Sequence, residues 1–347
     1  MLNSYLSLYF IGLSFVIVLC YHFLIPYLKK LKIGQNVRCE GPRSHLEKNG
    51  TPTMGGIIIF LTFALILISL FLMLKYKFKT FLYLNDLILL LIPITGYTVI
   101  GFLDDFLIIM KKNNIGLKPL YKLLFELLIS LIFYIVYLYF SYPTTISIFG
   151  IMVDFKFLFG PLIILMFLST TNSTNLTDGL DGLLTISTLP IVFGFLVLSV
   201  QANNIVVTIS SIAMLVSLIS FLFFNFPKAS IFMGDTGSLF IGAYVCVSSI
   251  LLKVEFLLLI FGFVYIIETI SVILQVIYYK KTKGKRLFKM TPIHHHLELC
   301  GLNDIQINLI FFIISSVFVT IGLILELVLF WLFYMVMELA IKVLKNT

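Results

Sequence analysis

Asp104 and Asp105 stand side by side in Gly101-Phe-Leu-Asp-Asp-Phe, where an apolar run that begins near Leu87 closes. An ionised carboxylate in hydrocarbon is costly, and two adjacent ones repel each other. A pair kept where a membrane-spanning helix reaches its end is suited to holding a cation. The plain alternative is two solvated helix-end carboxylates.

Thr171–Gly182 reads Thr-Asn-Ser-Thr-Asn-Leu-Thr-Asp-Gly-Leu-Asp-Gly. Asp178 and Asp181 are three apart and would share a face on a helical turn. The two glycines let backbone approach a ligand closely, and Asn175 and Thr177 add neutral polar groups. A capped helix start is the competing reading. Phe232–Leu239 reads Phe-Met-Gly-Asp-Thr-Gly-Ser-Leu. A glycine-flanked turn that feeds a helix offers free backbone N–H groups to phosphate. Asp235 in that turn could bring a cation to the same phosphate, or cap the helix, or both.

Met290–Gly301 carries His294, His295 and His296 behind a basic run. Three consecutive histidines cannot all point one way, and a zinc site wants spaced ligands. Hydrogen bonding to phosphate or sugar fits better than zinc, with a solvated loop as the alternative. Gly50-Thr-Pro-Thr-Met-Gly-Gly56 suits a helix opening or a ligand contact equally. Glu126 and Glu268 fall inside apolar runs, where an ionisable group is a functional candidate or a protonated or paired carboxyl facing the bundle.

The elements that position these groups are long apolar runs. Of 347 residues, 60% are hydrophobic and 12% charged, against about half and about a quarter in a soluble domain. The expected fold is an all-α polytopic membrane protein, one integral membrane domain over residues 1–347. Ten spans are expected, at 4–28, 53–74, 85–103, 120–141, 160–176, 182–200, 205–224, 237–252, 256–279 and 305–338. The first run lacks a basic start and a small-residue cleavage site, so no cleavable signal peptide is expected. Seventeen of the 24 Lys and Arg residues fall in the connections after odd-numbered spans. That places those connections in the cytoplasm and both termini outside; the Lys75–Lys79 cluster votes the other way. Nine of the 16 acidic residues lie in the same connections, which puts the expected chemistry on the cytoplasmic face. Thr145–Phe149 and Ile151–Phe155 are β-prone around Gly150, so a small outer hairpin is expected near 144–156. Cys20, Cys39, Cys246 and Cys300 have no CxxC spacing and read as free thiols. The net charge of +8 is read as a topology signal and an affinity for anionic lipid or phosphorylated substrate, not as a nucleic-acid footprint.

Five blocks in order, Gly50–Gly56, Gly101–Asp105, Asn175–Gly182, Gly234–Ser238 and Met290–His296, resemble the phospho-N-acetylmuramoyl-pentapeptide transferases of the polyprenyl-phosphate N-acetylhexosamine-1-phosphate transferase superfamily. The likeness covers almost the whole chain, and the triple histidine after Thr-Pro-Ile marks the muramoyl-pentapeptide branch. The resemblance implies a bacterial cytoplasmic-membrane enzyme that uses Mg²⁺, UDP-MurNAc-pentapeptide and undecaprenyl phosphate, and it suggests a homodimer. It implies Asp235 as the metal ligand, and Asp104 as the base or positioning group at the lipid phosphate, with Asp105 as its partner. Asn175, Asp178, Asn225 and Phe232 match positions around the nucleoside. Lys48, Thr53, Lys122, His294, His295 and His296 match phosphate and sugar contacts. The chain departs from the pattern at Ile108, where the family often has Lys; the first basic residues here are Lys111 and Lys112. Two alternatives are the GlcNAc-1-phosphate branch and an ion-coupled transporter. A transporter should carry its carboxylates near the bilayer midplane, and here they gather at one face.

Overall fold

Apolar chain in hydrocarbon must satisfy its backbone polar groups internally, and it does so as helices. The computed structural model describes residues 19, 21–27, 50–78, 83–111, 116–148 and 151–346. Lys48, Lys112 and all of the first expected span except residues 19 and 21–27 lie outside the described residues.

The helices are α1 (Gly55–Phe78), α2 (Leu84–Lys111), α3 (Pro119–Tyr139), α4 (Phe159–Thr177), α5 (Leu183–Gln201), α6 (Ile205–Asn225), α7 (Gly234–Leu251), α8 (Leu257–Phe261), α9 (Phe263–Lys281), α10 (Ile293–Leu299) and α11 (Asp304–Asn346). Among the described residues nine helices are long and apolar enough to cross a membrane. Of the boundaries that differ from expectation, two change how the chain is read. The span expected to end at 103 continues to Lys111, so the aspartate pair sits about two turns inside α2. The ninth expected span is divided at Gly262, which ends α8 and opens α9.

The bundle is built around α7, where every side chain from Thr236 to Leu251 is buried. Its small residues let neighbours approach to backbone contact, the packing mode that favours glycine and serine between membrane helices. A Cβ on Gly56 of α1 would lie 2.1 Å from the Gly237 nitrogen, and one on Gly101 of α2 would lie 2.3 Å from the Asp235 carbonyl oxygen. Hydroxyls tie the rest together. Thr174 donates to the Ser238 carbonyl at 2.9 Å, Thr188 and Tyr265 share a hydrogen bond of 2.7 Å, and Ser315 donates to the Ser187 carbonyl at 2.7 Å.

β1 (Thr145–Ile148) and β2 (Ile151–Asp154) form the expected hairpin, antiparallel with Thr145 opposite Asp154 and Ile148 opposite Ile151. Lys253 clasps it by donating to the Pro143 carbonyl at 2.8 Å and to the Tyr137 hydroxyl. Tyr137 is fifteen residues along α3 from Lys122, about 22 Å at helical rise. The hairpin therefore lies at the opposite end of the bundle from the aspartates.

The close crossing of α1 and α7 makes Gly56→Ala a packing lesion. The added methyl would meet backbone, not a mobile side chain, so it should destabilise by about 1–3 kcal/mol. A lowered thermal midpoint in detergent is expected; an unchanged midpoint would show that the two helices do not cross this closely.

Candidate active site

The first-turn amides of a helix have no partner within it. At α7 the residue before the helix is Met233, which supplies no side-chain cap. Asp105 supplies it from α2. Its Oδ1 accepts from the Asp235 amide at 3.1 Å, and its Oδ2 accepts from the Thr236 amide at 3.0 Å and the Thr236 hydroxyl at 2.6 Å. A carboxylate at this end also meets the positive pole of the helix dipole. Asp105 is 4% exposed.

Consecutive residues on a helix project about 100° apart, so Asp104 faces elsewhere. Its Oδ1 accepts from the Leu117 amide at 2.8 Å, and its carboxyl lies in electrostatic reach of Asp235 and Lys122. Asp235 opens α7. Its Oδ2 accepts from Lys122 of α3 at 2.5 Å and its Oδ1 from Asn175 of α4 at 2.9 Å. The Asn175 amide also donates to the Ser238 hydroxyl at 2.9 Å. Four helices thus deliver three carboxylates, one ammonium and one amide to a single place. One turn further along, Glu126 of α3 accepts from Asn172 of α4 at 2.9 Å, the paired-carboxyl alternative for that residue.

Asp178 caps the C-terminus of α4, where the chain leaves the helix. Its carboxyl is pushed up to about 8, first by burial and then by the charges of Asp235, Asp105 and Asp181. Asp181 does not share a helical face with it, because α4 has ended. Asp181 instead accepts from the Ala229 amide at 3.0 Å. Asn225, matched to the nucleoside by resemblance, is 4% exposed and braces two turns. Its Oδ1 accepts from the Gly182 amide at 2.8 Å, and its amide donates to the Ile231 carbonyl at 2.9 Å. Phe232 is half-buried, and its amide donates to the Pro52 carbonyl at 2.8 Å. That bond aligns Thr53, 3% exposed, beside Gly234.

The histidines diverge, as three neighbours must. They lie on α10, not in a loop. His294 points inward to Glu268 of α9 at 3.0 Å. His295 pairs with Glu298 at 3.2 Å. His296 Nδ1 accepts from the Lys289 amide at 3.2 Å. Lys111 donates to the Gly116 carbonyl at 3.4 Å, in the loop that bonds Asp104. A basic residue therefore reaches this loop from one turn beyond Ile108. Sequence reasoning missed Thr236; its place inside Gly-Asp-Thr-Gly-Ser was the available signal.

Among the described residues no group of three or more His, Cys, Asp or Glu is arranged to hold a metal ion. Mg²⁺ is commonly bound through one or two carboxylates together with substrate phosphates and water. Asp235, with Asp104 beside it and an oxygen that takes no backbone donor, is a donor set of that kind.

Residues 87–253 match the family described as Glycosyl transferase family 4. Residues 48–60 match Phospho-N-acetylmuramoyl-pentapeptide-transferase signature 1. The chain is similar to the phospho-N-acetylmuramoyl-pentapeptide-transferase of Bacillus licheniformis, 43% identical over 87% of this chain and 92% of that one. Its counterpart in Bacillus subtilis is 42% identical over 92% and 97%, and that of Halalkalibacterium halodurans is 42% identical over 90% and 95%.

Two outcomes follow from this geometry. Asp105→Ala strips the acceptor from three donors at the α7 start and should lower the thermal midpoint, at about 1–3 kcal/mol for each donor left unpaired. Asp104→Ala strips the acceptor from one donor, the Leu117 amide, and should lower it less; equal losses would deny Asp105 its bracing role. Asp178 holds its proton more tightly folded than unfolded, so its contribution to stability declines as pH rises from about 4 to about 8. Asp178→Asn should therefore raise the thermal midpoint more at pH 8 than at pH 5; a gain independent of pH would contradict the assignment.

Proposed function

The chain belongs to the phospho-N-acetylmuramoyl-pentapeptide-transferase family, and from that membership we propose how its residues divide the work. The protein is a multi-pass membrane transferase of peptidoglycan synthesis. It moves phospho-MurNAc-pentapeptide from UDP-MurNAc-pentapeptide to undecaprenyl phosphate, giving lipid I and UMP.

A phosphate oxygen of the lipid attacks the β-phosphorus of the nucleotide. The bond from that phosphorus to the bridging oxygen breaks, and UMP leaves with the electron pair. Both reactants are anions, so catalysis rests on charge neutralisation and alignment more than on covalent chemistry. The observation that carries the assignment is the meeting of Lys122, Asp104 and Asn175 at Asp235. Lys122 is the ammonium that meets phosphate charge. Asp235, helped by Asp104, would hold Mg²⁺, which when bound supplies charge neutralisation and orientation of phosphate oxygens. Asp104 positions the lipid phosphate and takes any residual proton. Asp105 acts through the helix it caps. Asp178 and Phe232, with Asn225 bracing the turn, serve the nucleoside. Thr53, Lys48, His294, His295 and His296 serve phosphate and sugar.

The same reading makes residues 1–347 one integral membrane domain with ten spans and both termini outside. The site then lies on the cytoplasmic face of the bacterial inner membrane. The distribution of Lys and Arg supports that orientation, and the far-end hairpin is consistent with it. A homodimer is proposed from the family likeness alone.

Purified protein given labelled UDP-MurNAc-pentapeptide, undecaprenyl phosphate and Mg²⁺ should move label into an organic-extractable lipid. Label that stayed aqueous would refute the reading. Chelation should stop the reaction and added Mg²⁺ should restore it. Asp235→Asn should lower turnover by about 10²-fold or more in protein that still inserts; turnover near wild type would remove Asp235 from the centre. His295→Ala should raise the KM for the nucleotide, and unchanged kinetics would reassign that residue to structure.

A further inference from the structure

Glu268 is a carboxyl inside α9 that the mechanism above leaves without work. It and His294 are both fully buried, and they meet at 3.0 Å through Glu268 Oε1 and His294 Nδ1. The pair joins two helices that a basic connection separates in sequence. Each partner keeps one polar atom unsatisfied: Glu268 Oε2 and His294 Nε2 have no hydrogen bond. A buried polar atom left this way costs about 1–3 kcal/mol, and native proteins keep few of them.

The unpartnered Nε2 points at one place. A Cβ built on Gly179 would lie 2.1 Å from it and 2.6 Å from the adjacent ring carbon. The imidazole edge is therefore seated on the backbone next to Asp178, in the turn that leaves α4. The rest of that turn is fixed by other contacts. Asn225 takes the Gly182 amide, Asp181 takes the Ala229 amide, and Asn308 donates to the Asp181 carbonyl at 3.1 Å. His294 is the wall on the Gly179 side. Where Glu268 Oε1 accepts, the proton sits on Nδ1 and the bond fixes the ring plane. Nε2 is then the atom turned toward the turn.

We propose that Glu268 is a positioning residue for the nucleotide substrate, acting through His294 on the Asp178–Gly179 turn. This rests on the nucleoside assignment of Asp178. Glu268 touches no substrate. It sets the ring that sets the turn.

The test is a steady-state comparison of wild type, Glu268→Gln, His294→Ala and the double variant, varying each substrate in turn. Gln keeps an oxygen at the same place and removes the charge. Glu268→Gln should raise the KM for the nucleotide by about tenfold, the difference between a charge-assisted and a neutral hydrogen bond at Nδ1, with the KM for the lipid phosphate unchanged. The double variant should be no worse than His294→Ala, because the two act as one unit. Additive losses, a change confined to the lipid KM, or a nucleotide KM within about twofold of wild type would each overturn the proposal. Gly179→Ala provides a route that substitutes neither member of the buried pair. Its methyl displaces the ring and should reproduce the nucleotide KM change; an unchanged KM there also overturns it, and this arm decides if Glu268→Gln does not fold. A wild-type protein that formed no lipid product would instead refute the transferase reading itself.

Discussion

The site depends on a helix capped by another helix. The amides that open α7 bond to the Asp105 carboxylate of α2, 130 positions earlier in the chain. Asp235 is the second residue of α7, so its placement is only as good as that cap. Buried on every side, α7 has no water to bond its first turn, and an unmade bond there is costly. The carboxylate that satisfies the turn also presents Asp104, one residue earlier, to the other side of the cluster. One dipeptide on a rigid helix therefore serves two ends: Asp105 fixes where Asp235 sits, and Asp104 faces Asp235 and Lys122, where we propose that it meets the lipid phosphate.

The electrostatics follow from that geometry. Three carboxylates in one buried place would repel each other strongly. Lys122 and Asn175 bind the two oxygens of Asp235, and the α7 amides bind Asp105, so each carboxylate has donors of its own. Asp178, outside the helices and facing the charges of Asp235 and Asp105, is pushed up to about 8. A site organised this way is prepared for phosphate-borne charge and does not need to rearrange much when it arrives.

Much of this was legible in the sequence, for reasons that can be named. Apolar runs interrupted by polar turns set the helices, because hydrocarbon allows little else. The hairpin was legible from β-prone residues flanking Gly150, and the divergence of His294, His295 and His296 from their adjacency alone. Capping by Asp105 was not legible, because it is a contact between distant segments and leaves no local pattern. The extension of α2 to Lys111 was hidden for the same reason: an aspartate pair ordinarily signals a helix end, unless a distant partner satisfies it. Asn225 was matched to the nucleoside by resemblance alone, and its bonds to the backbone of two turns could not be seen in the sequence. The break at Gly262 was masked by apolar residues on both sides.

The central claim is that the Asp235 carboxylate, with Asp104 beside it, is where the metal and the two phosphates meet. Anomalous scattering from Mn²⁺, in crystals grown with a uridine diphosphate ligand, tests this directly. A peak within about 2.0–2.3 Å of an Asp235 oxygen, with the β-phosphate on the same ion, is the predicted result. A peak on the histidines of α10, or one more than a coordination distance from Asp235, would contradict it.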